Sequence, residues 1–570
     1  MASQEEQLVL EESGDGGAAA NKSERATRFS WKAPAIILGF ELLESIAFSG
    51  VAINLVVYLA AVLHGTLAFN AAHVDTWNGT TFFVPVIGAF LADSYWGKYR
   101  TILASLVFYL AGLVLLTVSA AVQSLRPEPC SGGPCPPATR TQFSVFFLAL
   151  YLTSVGTGGV KSALLPFGAE QYDRDGGPSP EKKQSFFSWF FGAINLGIFI
   201  AGTLVSWLEQ NVSWALGFGV ATLCFLIAAA AFVAGTPFYK VRLPVGDSPL
   251  KSILRVLVAT FRNRMRPLPP DGGGLYEVHN DDGDNHHGKN NAADEKLTHT
   301  EGLRWLDKAA VRAGGGPWEL CTVTEVEGVK VLARMVPIWV TCVLFAASMG
   351  QMTTTFIQQG MAMDTRLFGG RFRVPVASLV SVEVVFMLLW VLLHDAVVLP
   401  LARRRWPGGL TRLQRMGVGR LLVVLSMATA ALVERRRLRG AKRSMSIAWQ
   451  LPQFVILAGS DVFSGIAQLE FFYGEAPSSM RSICSAFSFL ALSLGFYVNS
   501  LIVTIVAAAT KRHDGSGGWL APDLDAGHLD YYFWLWAAIS AVNLGLYLVV
   551  AGRYKTKRPL LAGASPYPSP

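Results

Sequence analysis

Residues 77–116 read WNGTTFFVPVIGAFLADSYWGKYRTILASLVFYLAGLVLL, two apolar runs separated by a short charged turn. Such runs are too continuously apolar for the strands of a membrane barrel, and backbone polar groups cannot stay unpaired in hydrocarbon. We therefore predict two membrane-spanning helices that reverse direction at a turn containing Asp93, Lys98 and Arg100.

The composition of the whole chain also indicates a membrane environment. Of its 570 residues, 52% are hydrophobic and only 15% are charged, whereas soluble domains carry about 25% charged residues. The net charge of +8 comes from basic residues beside apolar runs, so nucleic acid is not an expected partner. The composition excludes an ordinary soluble enzyme and makes the lipid bilayer the expected partner.

Twelve apolar stretches are candidate membrane crossings, at roughly 20 residues for each crossing. Six lie in each half of the chain, which predicts an all-α membrane protein with 12 transmembrane helices in two six-helix bundles. We number these predicted spans 1 to 12: residues 33–63, 77–92, 101–121, 143–166, 186–207, 214–234, 331–352, 374–401, 417–433, 447–473, 484–509 and 531–551.

Polar segments divide the chain into five parts. Residues 1–32 form an acidic tail that is predicted to be disordered and cytoplasmic, and residues 553–570 form a second cytoplasmic tail. The N-terminal bundle covers 33–235 and the C-terminal bundle 331–552. A cytoplasmic linker, 236–330, joins them; its middle is predicted to be mobile, and GLRWLDKAA and VTEVEGVKVLARM are candidate amphipathic helices. The linker histidines match no metal-ligand spacing, so we expect neither a metal nor an organic cofactor.

Basic residues in short loops predict the orientation, because cytoplasmic loops are rich in Lys and Arg. With both termini in the cytoplasm, the basic loops after spans 2, 4 and 8 lie inside. One segment conflicts with this rule, since ERRRLRGAKR at 434–443 would lie outside. Cys130 and Cys135 also fall outside, where they can form a local disulfide. The host membrane is predicted to be the plasma membrane or the vacuolar membrane.

Charged residues within the spans are candidate functional residues, because burying a charge in a membrane is unfavourable. Glu41 and Glu44 are three residues apart and share one face of span 1. They lie roughly 12 to 17 Å along its axis, a depth compatible with pairing to Lys161 on span 4. Asp461 in span 10 and Glu383 in span 8 are further candidates.

Several motifs resemble those of one transporter family. The turn GAFLADSYWGKYRTIL at 88–103 resembles the signature loop of the major facilitator superfamily. The segments GTGGVKSALLPFGAEQYD at 156–173, FFSWFFGAINLG at 186–197 and LEFFYGEAPSSMRS at 469–482 are similar to signatures of the proton-dependent oligopeptide transporter family, in its plant nitrate and peptide transporter branch. The resemblance extends from about residue 31 to residue 553 and implies the major facilitator superfamily fold.

The resemblance also implies a proton-coupling site. Family members use a Glu-x-x-Glu-Arg motif in span 1 together with a lysine in span 4. Here Glu41, Glu44 and Lys161 match that pattern, and Ser45 stands where the arginine is expected. We predict that the three matching residues handle protons, and that the missing cation weakens or abolishes coupling.

The substrate site is predicted from the same comparison. Family members carry an acid at the position of Asp461 that lines the substrate cavity. The two tyrosines typical of peptide-handling relatives are absent, with Phe48 in this stretch, and Met349 stands where nitrate-handling relatives can carry a histidine. A small amphiphilic or anionic organic solute therefore fits at least as well as nitrate. The predicted substrate-binding residues are Lys161, Asp461, Glu383, Met349, Phe48 and Gln351.

A third set of residues is predicted to form a latch, a charge cluster that holds a cytoplasmic interface closed and can release it. Asp93 lies near a helix end and faces the basic residues of the turn, a charge cluster that can open and close an interface. The set consists of Asp93, Gly97, Lys98, Arg100 and, in span 10, Glu470.

The predicted function is secondary active transport by alternating access between two bundles. The solute is small and anionic or zwitterionic, such as nitrate, a di- or tripeptide, or a plant organic acid or hormone-like metabolite. Protons are the expected coupling ion. Two alternatives are a facilitator or exporter without proton coupling, and a sensor or scaffold that binds without transport. An intramembrane enzyme is not expected, because the spans contain no nucleophile with a nearby base and no HExxH motif.

Overall fold

The computed structural model describes residues 31–130, 135–172, 180–241, 249–268, 275–276, 297, 299–311, 318–367, 372–405, 409–441, 444–476, 481–511 and 518–554. Both predicted tails lie almost wholly outside these residues. So does most of the linker segment that was predicted to be mobile.

The N-terminal half folds into six long helical segments, whose bounds define spans 1 to 6 from here on. Span 5 contains a π-helical turn at Ala201–Val205 and ends in a short helix at Ser206–Asn211. A second π-helical turn, Ala92–Trp96, follows span 2. The main helices are Lys32–Ala61, Leu67–Leu91, Lys98–Ala121, Arg140–Glu170, Pro180–Ile200 and Trp214–Ala234.

The C-terminal half contains six further segments, several of which are broken. Span 7, Val323–Met349, is followed by a 3-10 turn at Gly350–Thr353 and a helix at Thr355–Met361. Two-residue strands, Arg366–Leu367 and Phe372–Arg373, pair antiparallel before span 8. Span 8 comprises Leu379–Leu393, a π-helical turn at His394–Val398 and Leu399–Arg405; span 9 is Arg412–Arg439; span 10 comprises Leu451–Ser460, a π-helical turn at Asp461–Gly465 and Ile466–Glu475; spans 11 and 12 are Arg481–Thr510 and Leu529–Arg553.

Threonine side chains cap the N-termini of four spans. Thr66 accepts a hydrogen bond from the backbone of Phe69 at the start of span 2. Thr139, Thr322 and Thr411 form capping boxes at the starts of spans 4, 7 and 9. Each cap pairs backbone N–H groups that the helix itself leaves free, and so fixes where the helix begins.

Among the described residues, 11 helical segments are long and apolar enough to cross a membrane. The twelfth predicted crossing, span 2, is a helix of 25 residues, about 37 Å long, but it carries buried polar side chains at Asn70, Asp75 and Asn78. It begins at Leu67, ten residues before the predicted start, because these polar residues interrupt the apolar run that defined the prediction.

Spans 2 and 11 provide most of the contact between the two bundles. Thr76 lies 2.9 Å from the Ser500 hydroxyl, and Ser493 donates to the Gly79 carbonyl over 2.7 Å. The Phe82 and Phe496 rings stack with centroids 5.7 Å apart. We call the side where span 1 begins and span 12 ends the tail face, and the side that carries Cys130 and Cys135 the disulfide face. These inter-bundle contacts lie from the middle of the spans to the disulfide face.

No hydrogen bond or ion pair between the bundles is found on the tail face within the described part of the chain. On the disulfide side the backbone N–H of Val376 donates to Gln210 over 3.2 Å. Spans 5 and 8 are also in close contact on this side, because a Cβ atom added at Gly202 would lie only 1.9 Å from the Ser381 hydroxyl. The bundles are therefore closed against each other on the disulfide face and are not joined by polar contacts on the tail face.

The described parts of the linker include two helical segments, one of which lies in the predicted amphipathic stretch GLRWLDKAA. A helix at Pro249–Arg262 and a 3-10 segment at Arg304–Ala310 pack against the C-terminal bundle through Val256, Leu306 and Val326. The predicted surface helix VTEVEGVKVLARM is instead the beginning of span 7. Burial of apolar side chains between linker and bundle explains this packing.

A buried lysine anchors the linker to span 7. The Lys330 ammonium is 0% exposed and lies 2.6 Å from Asp307 and 2.8 Å from Glu327. Glu327 in turn accepts hydrogen bonds from the backbone and the hydroxyl of Thr300. The linker residues Thr300 and Asp307 are thus tied to the C-terminal bundle by a charged network.

The basic segment at 434–443, which conflicts with the orientation rule, is partly neutralised in the fold. Span 9 continues to Arg439, and the Arg437 guanidinium lies 2.8 Å from the buried Glu434 carboxylate. Arg437 also pairs with Asp525 from the loop before span 12. The Arg436 guanidinium lies 4.1 Å from the centroid of the Trp449 ring. Lys442 and Arg443 lie outside the described residues.

Candidate functional site

Two glutamates and one lysine meet inside the N-terminal bundle. The Glu44 carboxylate is fully buried and lies 3.4 Å from the Lys161 ammonium. The Tyr109 hydroxyl donates to the other Glu44 oxygen over 3.1 Å. Glu41 is 4% exposed, and no hydrogen bond or ion pair joins it to another described side chain. Spans 1, 3 and 4 thus gather two buried carboxyl groups around a single cation.

The substitution at Ser45 has a clear structural setting. Ser45 is buried, and its hydroxyl has no hydrogen-bond partner. A Cβ added to Gly197 of span 5 would lie 2.5 Å from the Ser45 Cβ. The helices are therefore in close contact at this point, and the side chain at position 45 packs against span 5.

Aromatic rings shield one side of Lys161. Its ammonium lies 4.7 Å from the centroid of the Phe48 ring, a cation–π distance. Phe48 stacks on Trp77 with centroids 5.9 Å apart, and the Trp77 indole donates to the Leu150 carbonyl. The Lys161 side chain is still 21% exposed, whereas Glu44 is 0% exposed. The cation, and not its partner, is therefore the accessible group of the cluster.

The C-terminal bundle contributes a pair of acids. Asp461 begins the π-helical turn of span 10, is partly exposed, and acts electrostatically on the buried Glu383 of span 8. No lysine or arginine in the described chain forms an ion pair with either residue. A π-helical turn interrupts the regular helix and is frequent at functional sites. Here it places the shorter aspartate side chain near the glutamate.

The other two predicted substrate residues of the C-terminal bundle differ in position. Met349 ends the helix of span 7 and is partly exposed. Gln351 is fully buried: its amide donates to Asn499 over 2.6 Å, and its carbonyl accepts from the Thr355 hydroxyl. In this conformation both ends of the Gln351 amide are hydrogen-bonded within the closed interface, and its role in binding the solute stays a prediction.

A buried acid that the sequence analysis missed lies at this interface. The Asp75 carboxylate of span 2 is 0% exposed and accepts a hydrogen bond of 2.7 Å from the Asn499 amide of span 11. Its second oxygen has no hydrogen-bond partner. The Tyr532 hydroxyl lies 3.5 Å from Asn499. Asp75 could have been noticed as a charge close to an apolar run, but the predicted start of span 2 at Trp77 placed it outside the membrane.

The charged turn of the predicted latch, on the tail face, makes a contact that the sequence did not indicate. Lys98 forms an ion pair with Glu170 at the end of span 4, and Arg100 is exposed without an ion pair to any described residue. Burial raises the pKa of the Asp93 carboxyl; Lys98 acts in the opposite direction and Glu170 adds to the rise. Gly97 has a positive φ of 76°, a conformation that favours glycine, at the turn between spans 2 and 3. The ion pair of this charged turn is therefore formed within the N-terminal bundle.

Glu470 also pairs within its own bundle. Its carboxylate lies 2.9 Å from the Arg415 guanidinium of span 9, and the Glu470 side chain is 43% exposed. The described residues show no contact from this pair to the N-terminal bundle. In this conformation the two halves of the predicted latch lie on separate bundles without touching.

One group of side chains in the linker has the composition of a metal site. His299, Asp307 and Glu327 present ligand atoms within 4.8 Å of one another. However, the Lys330 ammonium already lies among the two carboxylates. A cation would compete with that lysine, so the geometry favours a salt-bridge network at this position.

Comparison with known proteins identifies the family. The POT family model, PTR2, matches residues 99–520. Protein NRT1/PTR FAMILY 8.3 of Arabidopsis thaliana is 43% identical over 552 residues, covering 93% of this chain and 92% of the relative. Protein NRT1/PTR FAMILY 8.1 of the same plant is 40% identical, with coverage of 97% and 99%.

Solved structures agree on the fold. The crystal structure of an auto inhibited POT family peptide transporter superposes with a TM-score of 0.70 at 21% identity, covering 93% of this chain and 98% of that one. A POT family transporter in complex with 5-aminolevulinic acid gives a TM-score of 0.62 at 12% identity, with coverage of 91% and 95%. The fold is therefore that of the major facilitator superfamily, and the chain belongs to the POT family of membrane transporters, in its plant NRT1/PTR branch.

Proposed function

We propose that this transporter moves a small zwitterionic solute together with protons. The observation that carries the proposal is the distribution of charge between the bundles. In the N-terminal bundle the partly exposed charge of the buried cluster is the Lys161 ammonium, whereas in the C-terminal bundle the acids Glu383 and Asp461 form no ion pair with a described lysine or arginine. A solute with a carboxylate at one end and an ammonium at the other matches this arrangement, because each end meets the opposite charge.

The proton enters the proposal through the charge balance of the N-terminal cluster. Two buried carboxyl groups share one cation, and leaving an unpaired carboxylate in a dry site is strongly unfavourable. The neutral cluster therefore keeps one proton. Because Glu44 pairs with Lys161 and with Tyr109, we assign that proton to Glu41. When a solute carboxylate pairs with Lys161, the lysine compensates the charge of the glutamates less, and the cluster binds a proton more strongly. Solute binding is therefore linked to proton binding.

The conformation and the loops support an orientation. The bundles are closed on the disulfide face, which is one of the two end states required for alternating access. A disulfide joins Cys130 and Cys135 on that face, and disulfides persist in oxidising compartments. We therefore place the tail face and both termini in the cytoplasm, in the plasma membrane or the vacuolar membrane, so that the described conformation faces inward.

Proton coupling is tested with the purified full-length protein in liposomes. A labelled dipeptide serves as the solute, with acid outside or with equal pH on both sides. We expect the gradient to drive accumulation by the wild type, and Glu41→Gln to lose that accumulation while it still exchanges solute across the membrane. Glu301→Gln, at an exposed acid of the linker, is the matched control. Undiminished gradient-driven accumulation by Glu41→Gln would exclude Glu41 as the proton site, and a wild type indifferent to the gradient would be an uncoupled facilitator.

The solute class is tested separately by competition. Unlabelled 5-aminolevulinic acid, acetate and nitrate are added to the dipeptide uptake assay at one pH. We expect the zwitterion to compete best, and Asp461→Asn to reduce its advantage over acetate by about tenfold, the equivalent of one lost charge-assisted contact of about 1.4 kcal/mol. Equal competition by nitrate and the zwitterion would contradict the proposed class.

A further inference from the structure

The disulfide face carries a compact group of two cysteines and a histidine outside the transport site. Cys130 and Cys135 lie in the loop between spans 3 and 4, with Cα atoms 4.8 Å apart. His64 comes from the other loop of the same face, between spans 1 and 2. Its Nε2 atom lies 3.3 Å from the Cys130 sulfur, so two separate loops meet at the disulfide.

The backbone holds His64 in an unusual conformation. Its φ of 55° lies in the left-handed region, which residues other than glycine seldom adopt. The flanking residues enforce this geometry, because Leu63 donates to the Tyr58 carbonyl and Gly65 to the Leu59 carbonyl over 2.9 Å. Such outliers persist where surrounding structure determines them, and they cluster at functional sites. The turn after span 1 therefore fixes the direction of the imidazole.

A hydrogen bond also fixes the role of each imidazole nitrogen. The Nδ1 atom lies 2.9 Å from the Pro136 carbonyl, which can only accept, so Nδ1 carries the hydrogen. In the neutral ring, Nε2 then presents a lone pair, and it points at the sulfur. A backbone carbonyl on the far nitrogen is the usual outer support of a metal-bound histidine.

The three ligand atoms lie close enough together to share one metal ion once the disulfide is reduced. The two sulfurs and the His64 nitrogen lie within 4.8 Å of one another. In a tetrahedral zinc site, ligands at about 2.3 Å for sulfur and about 2.0 Å for nitrogen lie roughly 3.5 to 3.8 Å apart. Reduction of the disulfide would let the sulfurs separate to that distance without moving His64.

We propose that the reduced form of this site, consisting of Cys130, Cys135 and His64, binds a thiophilic metal ion such as Zn²⁺. Reduction by a phosphine breaks the S–S bond, oxidises the phosphine with the oxygen of one water, and yields two thiols. Zinc then displaces the two thiol protons and takes the His64 lone pair. His64 also lines a cavity of about 660 Å³, together with Arg126 and Glu128. The disulfide and the metal are thus alternative ways to close the same loop.

The proposal is tested on the purified full-length transporter in detergent, with Zn²⁺ as the probe. The protein is reduced with a phosphine, mixed with zinc, separated from free metal, and analysed for zinc per chain. We expect one additional zinc in the reduced protein relative to the oxidised protein. The oxidised protein is an internal control, since the free cysteines Cys224, Cys321 and Cys342 are thiols in both forms. Equal zinc contents in the two forms would overturn the proposal.

Variants of His64 separate this site from the thiols alone. His64→Asn keeps a residue that tolerates the left-handed backbone but removes the imidazole, and we expect zinc binding at least about tenfold weaker. His64→Cys supplies a thiolate ligand and should restore binding. Cys224→Ser, in span 6, is the matched control and should bind zinc like the wild type. Wild-type affinity in His64→Asn would rule out the histidine as a ligand.

Discussion

Two buried carboxyl groups of this transporter, Glu44 and Asp75, differ in what surrounds them. Glu44 lies within the N-terminal bundle beside the Lys161 ammonium, 3.4 Å away. Asp75 lies between the bundles and accepts a hydrogen bond from the neutral Asn499 amide, 2.7 Å away. The first group has a counter-ion in the same rigid body, whereas the second depends on a partner in the other bundle. Two equally buried acids thus differ in whether their partner belongs to the same bundle or to the other one.

The difference follows from where each pair must separate. Alternating access moves one bundle against the other around a central site. Glu44 and Lys161 move together, so their pairing changes only when a proton or a solute intervenes. Asp75 and Asn499 part whenever the disulfide face opens. A hydrogen bond to a neutral amide is weaker than an ion pair in a dry site, which suits a contact that must break in every cycle.

The largest expected effect comes from removing the cation. Lys161→Ala leaves two buried carboxyl groups without a counter-ion, and breaking a buried pair in this way typically costs about 3 to 5 kcal/mol. We expect a marked fall in the thermal unfolding midpoint in detergent at pH 8. The loss should shrink at pH 5, because protonation of the glutamates removes the unpaired charge. Arg100→Ala, at an exposed cation, should melt like the wild type; equal melting of the two variants at pH 8 would contradict the proposed pairing.

An intermediate effect is expected at the interface between the bundles. Asp75→Ala leaves the buried Asn499 amide without its acceptor, at a cost of about 1 to 3 kcal/mol. Because the closed disulfide face depends on this contact, a cysteine introduced at Thr76 should also react faster with a reagent added on that face. A double-mutant cycle with Asn499→Ala isolates the pair. Strictly additive losses in the cycle would show that the two side chains are not coupled.

The smallest effect is expected from an isosteric change that removes only the ionisable group. Asp75→Asn retains a carbonyl oxygen that can accept from Asn499, so its unfolding midpoint should change by less than the equivalent of about 1 kcal/mol. The matched change Glu44→Gln deprives Lys161 of its charged partner and should cost more, about 1.5 to 3 kcal/mol for a hydrogen bond to a charged group. Thermal unfolding of both variants at pH 7 checks this ranking. Equal losses would remove the distinction between the two acids.

Residues of the N-terminal cluster could be predicted because their signal is local. A charge in an apolar run stands out, and the spacing of Glu41 and Glu44 places them on one helix face whatever the rest of the chain does. The depth of Lys161 followed from counting residues along span 4. The structure adds the Tyr109 hydroxyl, which bonds Glu44 from 65 positions further along the chain, and no local pattern indicates that contact.

Residues of the interface could not be predicted in the same way. Asp75 and Asn499 are 424 positions apart, and the polar residues around Asp75 hid the beginning of span 2. Gln351 was predicted to bind the solute because it follows Met349, whereas in the structure its amide donates to Asn499 at the closed interface. Lys98 was expected to face Asp93, and the structure adds an ion pair between Lys98 and Glu170. In each case the deciding partner is remote in sequence.

By itself, the sequence determined that this chain crosses a membrane in two helical halves, which family it resembles, and which charges lie inside the spans. These properties depend on runs of neighbouring residues, because the length and polarity of a helix segment alone decide whether it is stable in lipid. Only the tertiary structure decided which carboxyl received the lysine, which received an amide, and which face of the protein is closed. Those outcomes depend on the packing of helices that are distant along the chain. Side chains form pairs only when this packing brings them within a few ångströms of each other.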